Sequence, residues 1–296
     1  MPKIEYRVIE PLIESKKVLA GSVAVSFRCP DSTRAVRAQA AVTKVSRRRA
    51  SIWNHIQRSA MAALADAMEA GPRTENKANF RDEDVQAAIV AAFESVQSSF
   101  RWDETESRWF ETSVQASTFQ QRLREMPVTD PSDQAVLLRA LLELSQSDGI
   151  VTTEELLFIS EFVHPDIGTL EDMLRMGPLT SEELSRTSPE ARPSIVMLAW
   201  ACALCDEALD PAESARIEEI ARGLGLSVTE AHQLRIDAQQ FLLRQAVASA
   251  YVDGVRDDEA YAEVTFAAEK MGIGAAEAHE MDRVFRFELG LGDDSH

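Results

Sequence analysis

The sequence is short of cysteine, of long apolar runs and, beyond its first sixty residues, of positive charge. Three cysteines, Cys29, Cys202 and Cys205, cannot staple a 296-residue chain, so its core must be held by packing, in a reducing, cytoplasmic setting. The first residues, Met1-Pro2-Lys3-Ile4-Glu5, lack the apolar stretch of a signal peptide. The longest apolar run, Ile195 to Cys205, is about half of the roughly 20 residues a membrane-spanning helix needs. It predicts a buried core helix and no transmembrane anchor. Catalytic signatures are missing too: the chain has no nucleophile elbow, phosphate loop, zinc-protease helix or dinucleotide glycine fingerprint. The expectation is a protein that is not an enzyme.

What charge there is lies unevenly. Residues 1–60 carry 12 Lys/Arg against 4 Asp/Glu, residues 61–130 carry 7 against 13, and residues 131–296 carry 12 against 32. A basic front and an acidic back suggest docking on each other or separate partners, and the acidic part argues against nucleic acid as its own ligand.

The period of the pattern changes along the chain. Ile4, Tyr6 and Val8 alternate with Glu5 and Arg7, Val23, Val25 and Phe27 with Ser22, Ala24 and Ser26, and Val36, Ala38, Ala40 and Val42 with Arg37 and Gln39. These read as strands, the last two joined through the turn Pro30-Asp31-Ser32-Thr33. From Ser46 the period becomes helical, with Ile52, Ile56, Ala60, Leu64 and Met68 on one stripe until Gly71-Pro72. A second amphipathic helix spans Asp82 to Phe100. Phe100-Arg101-Trp102 and Arg108-Trp109-Phe110 flank a polar loop and suggest an aromatic hairpin, which one helix turn could also carry. The expected fold is mainly α: a small α+β domain over residues 1–126, a boundary near Pro127–Pro131, and an all-helical repeat domain over 131–290. The Pro- and Ser-rich stretch Gly177 to Pro193 reads as an internal linker.

The helical part repeats itself. Asp148-Gly149-Ile150-Val151-Thr152-Thr153-Glu154-Glu155 recurs as Asp206-Glu207-Ala208-Leu209-Asp210-Pro211-Ala212-Glu213 and again as Asp253-Gly254-Val255-Arg256-Asp257-Asp258-Glu259-Ala260. Moving the second copy by 47 positions lays Gly225 on Gly272 and Glu230-Ala231-His232 on Glu277-Ala278-His279. A fixed helical period means stacked hairpins that bury their apolar faces on one another. Capping explains much of the motif: Thr152 with Glu155, Thr180 with Glu183, Asp210 with Glu213 and Ser227 with Glu230 all have capping-box spacing.

The pattern of an Ala-rich helix ending in Asp-Gly, an apolar residue two beyond the glycine, a Glu seven beyond the Asp and a Gly-Leu-Gly-Leu-Ser close resembles the tellurite-resistance TerB-like family. The matching residues are Asp148, Gly149, Val151 and Glu155; Asp206, Leu209, Glu213 and Gly223-Leu224-Gly225-Leu226-Ser227; and, less completely, Asp253, Gly254 and Glu259. Glu207 stands where the family has Gly, and Ala260 where the third copy should have Glu. The resemblance covers about 131–289 and leaves the first 130 residues unrecognised. It implies an all-helical bundle of such hairpins, here three where the family more commonly has two, in a non-enzymatic bacterial module tied to metal-ion or envelope stress, with acidic clusters proposed in some members to bind divalent cations.

The candidate metal ligands are therefore Asp206, Asp210 and Glu213, then Asp148 and Glu155, then Asp253 and Asp257, suited to weak Ca2+ or Mg2+ binding because hard cations need several oxygens. None of the three tips has the ligand spacing of a helix-loop-helix calcium loop. Cys202 and Cys205 sit inside a helix pattern and read as core; His232 and His279 recur at one repeat position and read as structural. Lys44, Arg47, Arg48 and Arg49 open a helix, where cations oppose the macrodipole. Docking onto acidic repeats, onto a protein partner, onto anionic lipid or onto nucleic acid would each explain them. The expected function is a cytoplasmic protein-interaction module, responsive to divalent cations and linked to stress. The alternative is an enzyme with its site in the front domain near Cys29, His55 and the tryptophans.

Overall fold

The computed structural model describes residues 4–18, 22–30, 32, 35–42, 56, 59–60, 63–64, 67–68, 80–103, 106–111, 118–145, 163, 167–205, 209, 211–252 and 255–288. Its contacts divide the chain into two compact units, one of residues 1–62, 75–115 and 240–296, the other of residues 63–74 and 116–239. The third sequence copy thus belongs to the first unit and the second copy to the second.

In the first unit, β1 (Ile13–Val18), β2 (Ser22–Phe27) and β3 (Val36–Ala41) form an antiparallel sheet in that order. Alternation sets its register: Val23, Val25 and Phe27 pair with Ala40, Ala38 and Val36, so the apolar side chains of both strands share one face. The helix α2 (Asp82–Ser95) covers that face with Ile89, Ala92 and Phe93, all fully buried. Its first turn carries Asp82, Glu83 and Asp84, which favour a helix N-terminus. The aromatic segment is a hairpin, β4 (Phe100–Asp103) against β5 (Arg108–Glu111) with Trp102 opposite Trp109. Phe93 stands edge-on to Phe27 and to Trp109, with ring centroids 5.2 and 5.1 Å away, which locks helix, sheet and hairpin into one core.

Two elements near the N-terminus differ from expectation. Ile4 to Val8 is not a strand; Tyr6–Ile9 forms a helical turn, α1, which runs into a 3-10 turn containing Pro11. Over so few residues alternation cannot be told from one turn of helix, and proline at the start of the second turn favours the latter. Conversely, β1 was not expected, because Glu14, Ser15, Lys16 and Lys17 are all exposed: an edge strand with polar residues facing water carries no alternation to read. Of the helix expected from Ser46, residues 56, 59, 60, 63, 64 and 67 are described, all helical, and Ile56, Ala60, Leu64 and Met68 are buried.

The second unit is helical: α3 (Thr118–Glu125), α4 (Pro131–Ser145), α5 (Leu170–Arg175), α6 (Ser181–Ser185), α7 (Arg192–Ala203), α8 (Pro211–Gly223) and the start of α9 (Val228–Ser249). The apolar run is the helix α7, and every residue from Ser194 to Ala201 is buried, with α3, α4 and α8 packed against it. A helix apolar all round has to be covered all round. The expected linker is instead part of this packing. Thr180 and Glu183 form a capping box that starts α6, Leu184 sits where a side chain on Gly223 would be, and the buried Asp133 accepts hydrogen bonds from the Ser188 backbone and hydroxyl.

The third copy comprises the end of α9, a two-stranded ladder β6 (Tyr251–Val252) and β7 (Val255–Arg256), α10 (Asp258–Lys270) and α11 (Ala275–Glu288). The ladder is a departure from an all-helical repeat. The helices otherwise obey the 47-residue offset: α8 at 211–223 answers to α10 at 258–270, and α9 and α11 begin at Val228 and Ala275. Even the turns agree. Gly225 has φ +79° and Gly272 φ +77°; Leu226 N–H donates to Ala221 O at 3.0 Å and Ile273 N–H to Ala268 O at 2.8 Å. Both are Schellman closures with glycine in the left-handed position.

Candidate functional site

Most residues singled out from the sequence lie outside the described residues: Asp148, Glu155, Asp206, Asp210 and Asp253 among the acids, and the whole of Lys44, Arg47, Arg48 and Arg49. Glu213 and Asp257 are described. Glu213 is 5% exposed in the first turn of α8. Asp257 is the N-cap of α10, its Oδ1 accepting from Glu259 N–H at 3.1 Å and Ala260 N–H at 3.0 Å. Its position beside the helix start is thus accounted for by capping. Among the described residues, no three His, Cys, Asp or Glu side chains gather as a metal site.

The expected capping boxes are visible where the chain is described. Ser227 N–H donates to Glu230 Oε2 at 2.9 Å, and Glu230 N–H to Ser227 Oγ at 3.2 Å. The Ser227 hydroxyl and backbone hold the Glu230 carboxyl below its usual range. Glu183 is held at about 2, chiefly by the hydrogen bond from Arg139 and then by the Thr180 backbone. These carboxylates are committed to their own helices and their neighbours.

Buried and half-buried acids that the sequence did not flag form the polar framework. On α4, Glu143 accepts from Arg216 at 2.6 Å and from Leu179 N–H at 2.5 Å, which joins α4, the start of α6 and α8. Asp237 on α9 pairs with Arg122 at 3.1 Å and accepts from Gln233 at 3.0 Å. In the last hairpin, Asp282 accepts from the Tyr251 hydroxyl at 2.6 Å and from Arg256 at 3.0 Å, which fixes the β6–β7 ladder to α11. Arg256 also lies over the Tyr261 ring at 4.5 Å, and the Tyr261 hydroxyl is 2.8 Å from His279 Nδ1. Burial pushes Tyr261 up to about 12, and burial with Asp282 raises Tyr251 further. One signal could have found Asp282: it stands 47 positions after Arg235, so the repeat reverses charge there. Arg235 stacks on the buried Trp200 at 4.8 Å.

Of the other candidates, the cysteines fall into the packing. Cys205 is buried, with Sγ 2.8 Å from Ala201 O, and Cys202 is half-buried at the end of α7. His232 and His279 are both exposed. Cys29 is buried with Sγ 3.5 Å from Trp109 O, inside the core of the sheet. His55 is outside the described residues.

Residues 178–236 match the family model described as Tellurite resistance protein TerB. That span contains α6, α7, α8 and the first turns of α9, and therefore the second hairpin with its Schellman turn. This stretch is TerB-like; the N-terminal part of the chain is outside the match. Neither the curated proteins nor the solved structures hold a match to the chain. No helix among the described residues is long and apolar enough to cross a membrane.

Proposed function

We propose that the chain is a non-enzymatic, cytoplasmic protein-interaction module whose acidic helical hairpins bind divalent cations and face a protein partner, in a process of metal or envelope stress. The match of residues 178–236 to the tellurite-resistance family carries this reading. The charge supports it: 32 Asp/Glu against 12 Lys/Arg over residues 131–296 create repulsion that a hard cation relieves. Because Asp257 serves as a cap and Glu213 is buried, the ligands are sought among the remaining tip acids, Asp206 and Asp210 first, then Asp148 with Glu155, then Asp253. The basic run Lys44, Arg47, Arg48 and Arg49 is the counterpart surface for an acidic protein.

Thermal melting of the full chain tests the cation reading. Calcium or magnesium at millimolar concentration should raise the melting temperature more than sodium chloride at matched ionic strength; at a hundredfold excess over Kd one site contributes about 2.7 kcal/mol. Asp206→Asn with Asp210→Asn should remove the difference. Equal stabilisation by sodium chloride would reduce the effect to screening and strike the cation from the reading.

A further inference from the structure

We draw no further inference here: the strongest candidate, the surface patch of exposed apolar side chains Val255, Phe266, Val284 and Phe287 on the last hairpin, carries nothing because nothing in the structure shows what covers it.

Discussion

The two hairpins related by 47 residues differ at one cap, and that difference can be turned into a measurement. Ser227 precedes α9 and forms a reciprocal capping box with Glu230. At the matching place before α11 stands Gly274, with Glu277 at the matching glutamate. The glutamate is there and the hydroxyl is not. A Cβ on Gly274 would meet nothing within 4 Å, and its backbone is outside the left-handed region, so Gly274→Ser should complete the box without strain. Serine over glycine at an N-cap is worth a few tenths of a kcal/mol, and the loss of glycine's freedom in the unfolded chain adds about 0.4–1 kcal/mol. The sum, about 1 kcal/mol, corresponds to a rise of about 2–4 °C in Tm for a domain of 150–250 residues. Ser227→Gly should lower Tm by a similar amount. Acid supplies a second check. The Glu230 carboxyl titrates below its usual value in the fold, so the cap contributes above the unfolded pKa and is lost as pH falls through the folded one. The gain from Gly274→Ser should likewise fade on acidification. If Ser227→Gly lowers Tm while Gly274→Ser fails to raise it, the hairpins are not equivalent and the reasoning is wrong.

Further outcomes follow from other contacts. Gly225→Ala and Gly272→Ala should each cost about 1 kcal/mol, since both glycines are left-handed; a neutral result in a denaturant titration at either place would contradict the shared turn. Gly223→Ala gains about 1 kcal/mol of helix propensity but collides with Leu184, and overpacking of about 1–3 kcal/mol outweighs it; Leu184→Ala in the same chain should make the alanine at 223 favourable, which a double-mutant cycle reads directly. Glu183, held at about 2, contributes stability above its unfolded pKa, lost as pH falls from about 4.5 towards 2; Arg139→Met should flatten that part of the acid-unfolding curve, and an unaltered curve would remove Arg139 as the cause. Arg216→Met strands Glu143, itself 16% exposed, and should lower stability by about 2 kcal/mol or more, with Glu143→Met in addition recovering part of it.

Local chemistry was the part of the fold that the sequence made legible. Ser227 with Glu230 and Thr180 with Glu183 declare helix starts within four residues, and the structure closes both boxes. Val23, Val25 and Phe27 declare a half-buried strand by alternation alone. Illegible were the features that depend on distant partners. Asp133 and Ser188 are 55 positions apart, and Glu143 and Arg216 are 73 apart; nothing near either acid in the sequence marks it as paired. Composition misled in one place, where Pro and Ser between Gly177 and Pro193 suggested a linker, although those residues cap, turn and hydrogen-bond into α4 and α8. The sequence points to carboxylates at hairpin tips as the candidate site, and of these the described members have places in the fold: Asp257 caps a helix and Glu213 is buried.

The seat of Leu184 against Gly223 bears on where this chain can be cut. Composition would direct a protease, or an experimenter trimming the protein, to the Ser- and Pro-containing stretch before α7. Removal of residues 178–191 would uncover the bare backbone at Gly223, take Ser188 from Asp133 and withdraw the Leu179 backbone that both Glu143 and Arg216 hold. The second hairpin is consequently not a detachable pair of helices, and its shortest self-sufficient piece reaches back at least to α4.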